Sequence, residues 1–65
     1  MEIKTITTDQ VPDLVENMKQ PNKIGLYLVH EGDVWVAIDN STGDAWTEEF
    51  KSRSGAVTWL KQATK

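Results

Sequence analysis

Three strand-like runs, Lys23–Val29, Asp33–Asp39 and Ala45–Lys51, constrain this chain more than any other feature. Two short breaks, His30-Glu31-Gly32 and Ser41-Thr42-Gly43, separate them. Strands joined by so few residues pair as neighbours in an antiparallel meander. Asn40-Ser41-Thr42-Gly43 reads as a type I turn followed by a G1 bulge, with glycine at the left-handed position. Val29-His30-Glu31-Gly32 fits the same three-residue pattern.

Those turns predict a register. Leu28 faces Val34, Leu26 faces Val36 and Ile24 faces Ile38. In the second hairpin Ile38 faces Trp46, Val36 faces Glu48 and Val34 faces Phe50. One face is then almost wholly apolar: Ile24, Leu26, Leu28, Val34, Val36, Ile38, Trp46 and Phe50, broken by Glu48. The other is mixed, with Tyr27 opposite Trp35 and Trp35 opposite Glu49. A two-residue turn at Glu31-Gly32 would mix the two sets, which favours the bulged turns.

Helical patterns flank the meander. Residues 2–7, rich in β-branched side chains, predict a short strand or extended lead-in. Thr7 and Gln10 have the spacing of a capping box. Val11, Leu14, Val15 and Met18 form one apolar stripe, and Pro21 ends that helix near Gln20. After Phe50, Ser52 or Ser54 caps a second helix. Its inner stripe is Ala56, Val57, Leu60 and Ala63 or Thr64, with Trp59 beside it. The expectation is an α+β fold over 1–65 as one domain. It has an N-terminal strand or lead-in and helix, a three-stranded antiparallel meander, and a C-terminal helix packed on the apolar face.

At 65 residues such a domain buries about 60% of its unfolded surface, so its stability is a few kcal/mol. Cysteine is absent, which excludes disulfides and thiolate metal sites and fits a reducing, cytoplasmic location. One histidine, His30, makes no zinc site by itself. Asp39–Asp44 lacks the ligand spacing of an EF-hand and reads as a polar turn. No metal and no cofactor is expected. No run of about 18 apolar residues occurs, and Met1–Thr8 has no apolar signal-peptide core, so neither a membrane span nor secretion is expected.

Charge divides the chain. Residues 1–50 hold ten acids against three lysines, a balance of −7. Residues 51–65 hold Lys51, Arg53, Lys61 and Lys65 and no acid, +4, so the whole is acidic at −3. His30 lies near Glu31 and Asp33, but no nucleophile or phosphate-binding loop accompanies it, so no enzyme activity is expected. Tyr27, Trp35 and Glu49 are the candidate interface, because aromatic side chains on an open sheet face anchor partners. Lys51, Arg53, Lys61 and Lys65 are the candidate nucleic-acid contacts of an alternative reading.

Val36-Ala37-Ile38-Asp39-Asn40-Ser41-Thr42-Gly43-Asp44-Ala45-Trp46-Thr47-Glu48-Glu49-Phe50, followed by Lys51 to Leu60, resembles small uncharacterised proteins of bacteriophages and prophages. The likeness covers about the last thirty residues. It implies a mobile-element origin and carries no catalytic residues. More loosely, the pattern is similar to the βββα arm-type DNA-binding domains of phage integrases, whose sheets are basic where this one is acidic. The element order also resembles that of double-stranded-RNA-binding domains. The expected function is a non-catalytic protein-binding or regulatory module, such as a phage-encoded modulator of a host protein. The alternatives are nucleic-acid binding, through the basic last helix or the Tyr27/Trp35 face, and a small self-associating structural protein.

Overall fold

Four strands and two α-helices form an α+β fold around one mixed sheet, in a computed structural model that describes residues 2–63. Strand β1 is Ile3–Ile6, β2 is Gly25–Glu31, β3 is Val34–Asn40 and β4 is Trp46–Phe50. Helix α1 is Val11–Glu16 and α2 is Arg53–Ala63. The sheet order is β1-β2-β3-β4. β1 runs parallel to β2, and the other two pairs are antiparallel. The expected meander is therefore the antiparallel part of a larger sheet, and the lead-in is its fourth strand.

The parallel pair needs a crossover, which α1 supplies on one face. Thr7 donates its N–H to Gln10 Oε1 at 2.9 Å, and Gln10 N–H returns to Thr7 O at 3.0 Å. A 3₁₀ turn, Thr8–Gln10, then leads into α1, with Pro12 in the first turn. The apolar stripe predicts a helix to about Gln20, but α1 stops at Glu16. Asn17 ends it: its side-chain amide donates to Asp13 O and Asp13 Oδ1, both at 3.0 Å. That local bond competes with continuation of the helix. Leu14 is buried, Val11 and Met18 are half-buried, and Val15 is exposed.

Helix α2 closes the other face. Ser52 caps it, accepting Gly55 N–H at 3.1 Å, while Ala56 N–H bonds Ser52 O at 3.3 Å. Ala56 and Leu60 pack on Leu26, Leu28 and Ala37, with Ile3, Trp35, Phe50, Val57 and Trp59 at the margin. On the α1 side Leu14 packs with Tyr27, Val29 and Ile38, joined by Ile6, Val11, Val36 and Ala45. Because both faces are covered, five consecutive residues of β2, Gly25 to Val29, are buried.

The register differs from the expected one at both hairpins. Leu28 pairs with Ala37, not Val34, a displacement of three residues. Ile38 pairs with Thr47, not Trp46, a displacement of one. Side chains alternate with period two, so each odd displacement turns β3 over relative to its neighbour. Leu26, Leu28, Trp35, Ala37, Trp46, Glu48 and Phe50 therefore share the α2 face. Tyr27, Val29, Val34, Val36, Ile38, Thr47 and Glu49 share the α1 face. The turns explain it. Gly32, at φ 60°, opens a two-residue Gly32–Asp33 turn in the type II′ manner and does not close a three-residue loop. Gly43 is left-handed as expected, at φ 86°, but Ala45 at φ 49° is left-handed too, which lengthens the second connection.

Candidate functional site

With a helix on each face, the open parts of the sheet are its two edges, β1 and β4. Among the described residues β4 has β3 as its one ladder neighbour, and Trp46, Thr47, Glu48 and Glu49 are all exposed. The direction of its backbone groups follows from the first hairpin. A two-residue turn closes on a hydrogen-bonded pair, here Glu31 with Val34. Alternation along β3 then turns Val34, Val36, Ile38 and Asn40 toward β2. Trp35, Ala37 and Asp39 turn toward β4, to meet Phe50, Glu48 and Trp46. Thr47 and Glu49 are left with N–H and C=O groups pointing away from the sheet. Those outward groups are a template for an added strand.

Trp46 stands at the start of this edge and is 64% exposed. Glu48 lies two residues on, on the same face of the strand, and Glu49 lies on the opposite face. The exposed Asp44, just before the strand, makes a 3.9 Å ion pair with Lys19.

The loop that presents Trp46 is held by a buried residue. Asn40, 0% exposed, donates from Nδ2 to Met18 O at 2.8 Å and to Lys23 O at 2.7 Å. Its Oδ1 accepts Ala45 N–H at 3.1 Å, which holds that residue in its left-handed conformation. Asp39 Oδ1 accepts Ser41 N–H at 3.0 Å and Ser41 Oγ at 2.6 Å. These bonds are turn chemistry. Among the described residues no group of three or more His, Cys, Asp or Glu side chains is placed to hold a metal ion.

The three residues of the expected interface do not form one patch. Tyr27 is buried at 6% exposure under α1, pairs with Ile38 and donates its hydroxyl to Lys23 O at 2.8 Å. Trp35 is on the other face, half-buried, between His30 on β2 and Phe50 on β4. Glu49 is exposed on the α1 face opposite Val36. His30 belongs to β2, not to a loop, and its ring stacks on Trp35 with centroids 4.1 Å apart and planes 3° from parallel. Phe50 and Trp59 continue this aromatic row, 6.1 Å apart and tilted by 50°. Lys51, Arg53 and Lys61 are exposed, and Lys65 lies outside the described residues.

A polar cleft of about 310 Å³ opens between β1, α1 and the 3₁₀ turn Pro21–Lys23. Lys23 Nζ bonds Asp13 Oδ2 there at 2.7 Å. That hydrogen bond, with the attraction of the ammonium, holds the Asp13 carboxyl below its ordinary range. The same bond raises the Lys23 ammonium above its ordinary range. Lys23 and Asp13 thus neutralise each other in the cleft. No helix among the described residues is long and apolar enough to cross a membrane.

Ile24, expected on the apolar face, is 36% exposed, and Trp46 departs furthest from expectation, from the apolar face into solvent. Its signal was available: it sits on the last strand of the meander, directly after an acidic, glycine-bearing loop. Compared with known proteins, the chain matches no family model, no curated protein and no solved structure.

Proposed function

We propose that this chain is a non-catalytic protein-binding module whose contact surface is the free edge of β4, anchored by Trp46. The observation that carries the reading is Trp46 itself, 64% exposed on a strand with an unpaired outer side. Tryptophans at such positions are enriched among the residues that dominate binding energy. Strand addition to a free edge is a recurrent mode of peptide recognition. The resemblance of the last thirty residues makes a phage-encoded modulator of a host protein the form such a module takes.

One observation favours a nucleic-acid reading, the aromatic row from His30 to Trp59 beside Lys51 and Arg53. Two observations oppose it. One face of the Trp35 indole is already occupied by His30. The chain as a whole carries −3, which repels a polyanion.

Affinity capture from a bacterial lysate with the wild type, Trp46→Ala and Trp35→Ala separates these readings. The expected result is a protein retained by the wild type and by Trp35→Ala and lost with Trp46→Ala. Equal capture by all three removes Trp46 from the proposal. Retention of nucleic acid at about 50 mM salt that falls steeply as salt is raised supports the other reading.

A further inference from the structure

The outer side of β4 also carries information about what it pairs with. An antiparallel strand laid against it forms its hydrogen-bonded pairs at Thr47 and Glu49, whose N–H and C=O groups point outward. Glu48 then faces the added strand across a non-hydrogen-bonded pair, the closer of the two spacings, with Cα atoms about 4.5 Å apart. Directly opposed like charges destabilise a sheet pair, and opposite charges stabilise it.

A second copy of this chain is a poor occupant on these grounds. The symmetric antiparallel register that uses all five residues of β4 sets Thr47 against Glu49 of the other copy. It also sets Glu48 against Glu48 of the other copy, at the closer spacing. Sliding to a register centred on Thr47 relieves that clash but shortens the pairing to Trp46–Glu48. Glu48 and Glu49 lie on opposite faces, so a fitting partner strand carries basic side chains on both of its faces, at neighbouring positions. A cation opposite Glu48 also lies diagonal to Trp46, within reach of the indole face. Lys19 is engaged with Asp44, and the Lys23–Asp13 pair is on the α1 side, so neither of these ion pairs involves the two glutamates.

From this geometry we infer that the β4 edge takes up an extended segment of another protein bearing adjacent lysine or arginine residues, by strand addition at Thr47 and Glu49. The inference rests on the protein-binding reading of β4 and names the partner's chemistry.

The test uses two capped six-residue peptides of alternating threonine and valine, one with two adjacent central lysines and one with two glutamates. Amide resonances of the isotope-labelled protein report the site, and fluorescence anisotropy reports affinity. The lysine peptide is expected to shift the Thr47 and Glu49 amides and to bind at least about tenfold more tightly than the glutamate peptide, as like-charge juxtaposition is strongly disfavoured. Raising the salt should shrink that preference. Glu48→Lys combined with Glu49→Lys, both exposed positions, should invert it. Thr47→Pro removes an outward N–H without removing a bond to β3, so it should abolish binding while thermal unfolding shows the fold retained.

Binding of neither peptide, or lysine-peptide shifts away from β4, overturns the inference. A concentration-dependent dimer lost in Thr47→Pro also overturns it, by making a second copy the occupant. Equal binding of both peptides, lost in Thr47→Pro, overturns the charge inference and leaves the protein-binding reading standing. Lysate capture unchanged by both Thr47→Pro and Trp46→Ala overturns that reading itself.

Discussion

Asn40 does more for this fold than its polar character suggests. It is 0% exposed, and its amide bonds the carbonyls of Met18 and Lys23 and the N–H of Ala45. Three separate backbone segments meet on that one side chain. Replacing it with alanine takes that partner from Met18 O and Ala45 N–H, at about 1–3 kcal/mol for each group that water does not reach, while Lys23 O keeps the Tyr27 hydroxyl. Asn40→Ala should therefore lower stability by about 3 kcal/mol in urea titration, a large part of what so small a domain has. Asn40→Asp should be worse at neutral pH, since a carboxylate would face two carbonyl oxygens. None of this was legible in the sequence, where Asn40 reads as the first residue of a polar turn. Burial depends on Met18 and Lys23, some twenty residues away, and local turn chemistry says nothing about such distant partners. Trp46 departs from its sequence pattern in the opposite direction. Its hydrophobicity suggested the core, and a one-residue difference in register took Ile38 away from it and gave it Asp39 as its neighbour.

At the scale of elements, strand positions were legible and strand faces were not. Val34, Val36 and Ile38 look like the inner face of β3, but Trp35 and Ala37 on its other side are apolar as well. A strand covered on both sides has no polar face to reveal its orientation. The turn decides instead, and Gly32 is its determinant. An added Cβ at Gly32 would meet nothing within 4 Å, while φ is 60°. The cost of Gly32→Ala is thus conformational alone, about 1 kcal/mol. Gly32→Asn should cost less, since asparagine tolerates this region. Thermal melts of the two variants check the order, and an alanine variant as stable as wild type would contradict the turn assignment. Helix α1 shows the reverse limit. The stripe Val11, Leu14, Val15, Met18 is genuinely periodic, yet the Asn17-to-Asp13 bonds end the helix within it. The second helix is legible in sequence because Ser52, Ala56 and Leu60 carry the cap and the contact face within one short segment.

The whole molecule is a thin sandwich, with α1 and α2 on opposite sides of one sheet. Its pH response should come from the side where the crossover is tied down. The folded chain holds Asp13 below its ordinary range, so the unfolded chain binds that proton more readily. The contribution is present above the unfolded value near 3.8 and is lost as pH falls through the lower folded value. Lys23 has the opposite sign: its contribution is present below 10.5 and is lost as pH rises through the higher folded value. Asp13→Asn should flatten the acid limb of a stability–pH profile and leave the profile from pH 6 to 8 as it is in the wild type. A variant with an unchanged acid limb would show that the pair does not contribute. Such a sandwich leaves its sheet open at the margin, and along β4 the margin is main chain. Mutation can exchange every side chain there, and all but proline leave the outward N–H and C=O groups of residues 47 and 49 in place. On the proposed reading of β4, specificity drifts through positions 46, 48 and 49, while the groups that pair with a strand are inherited with the fold.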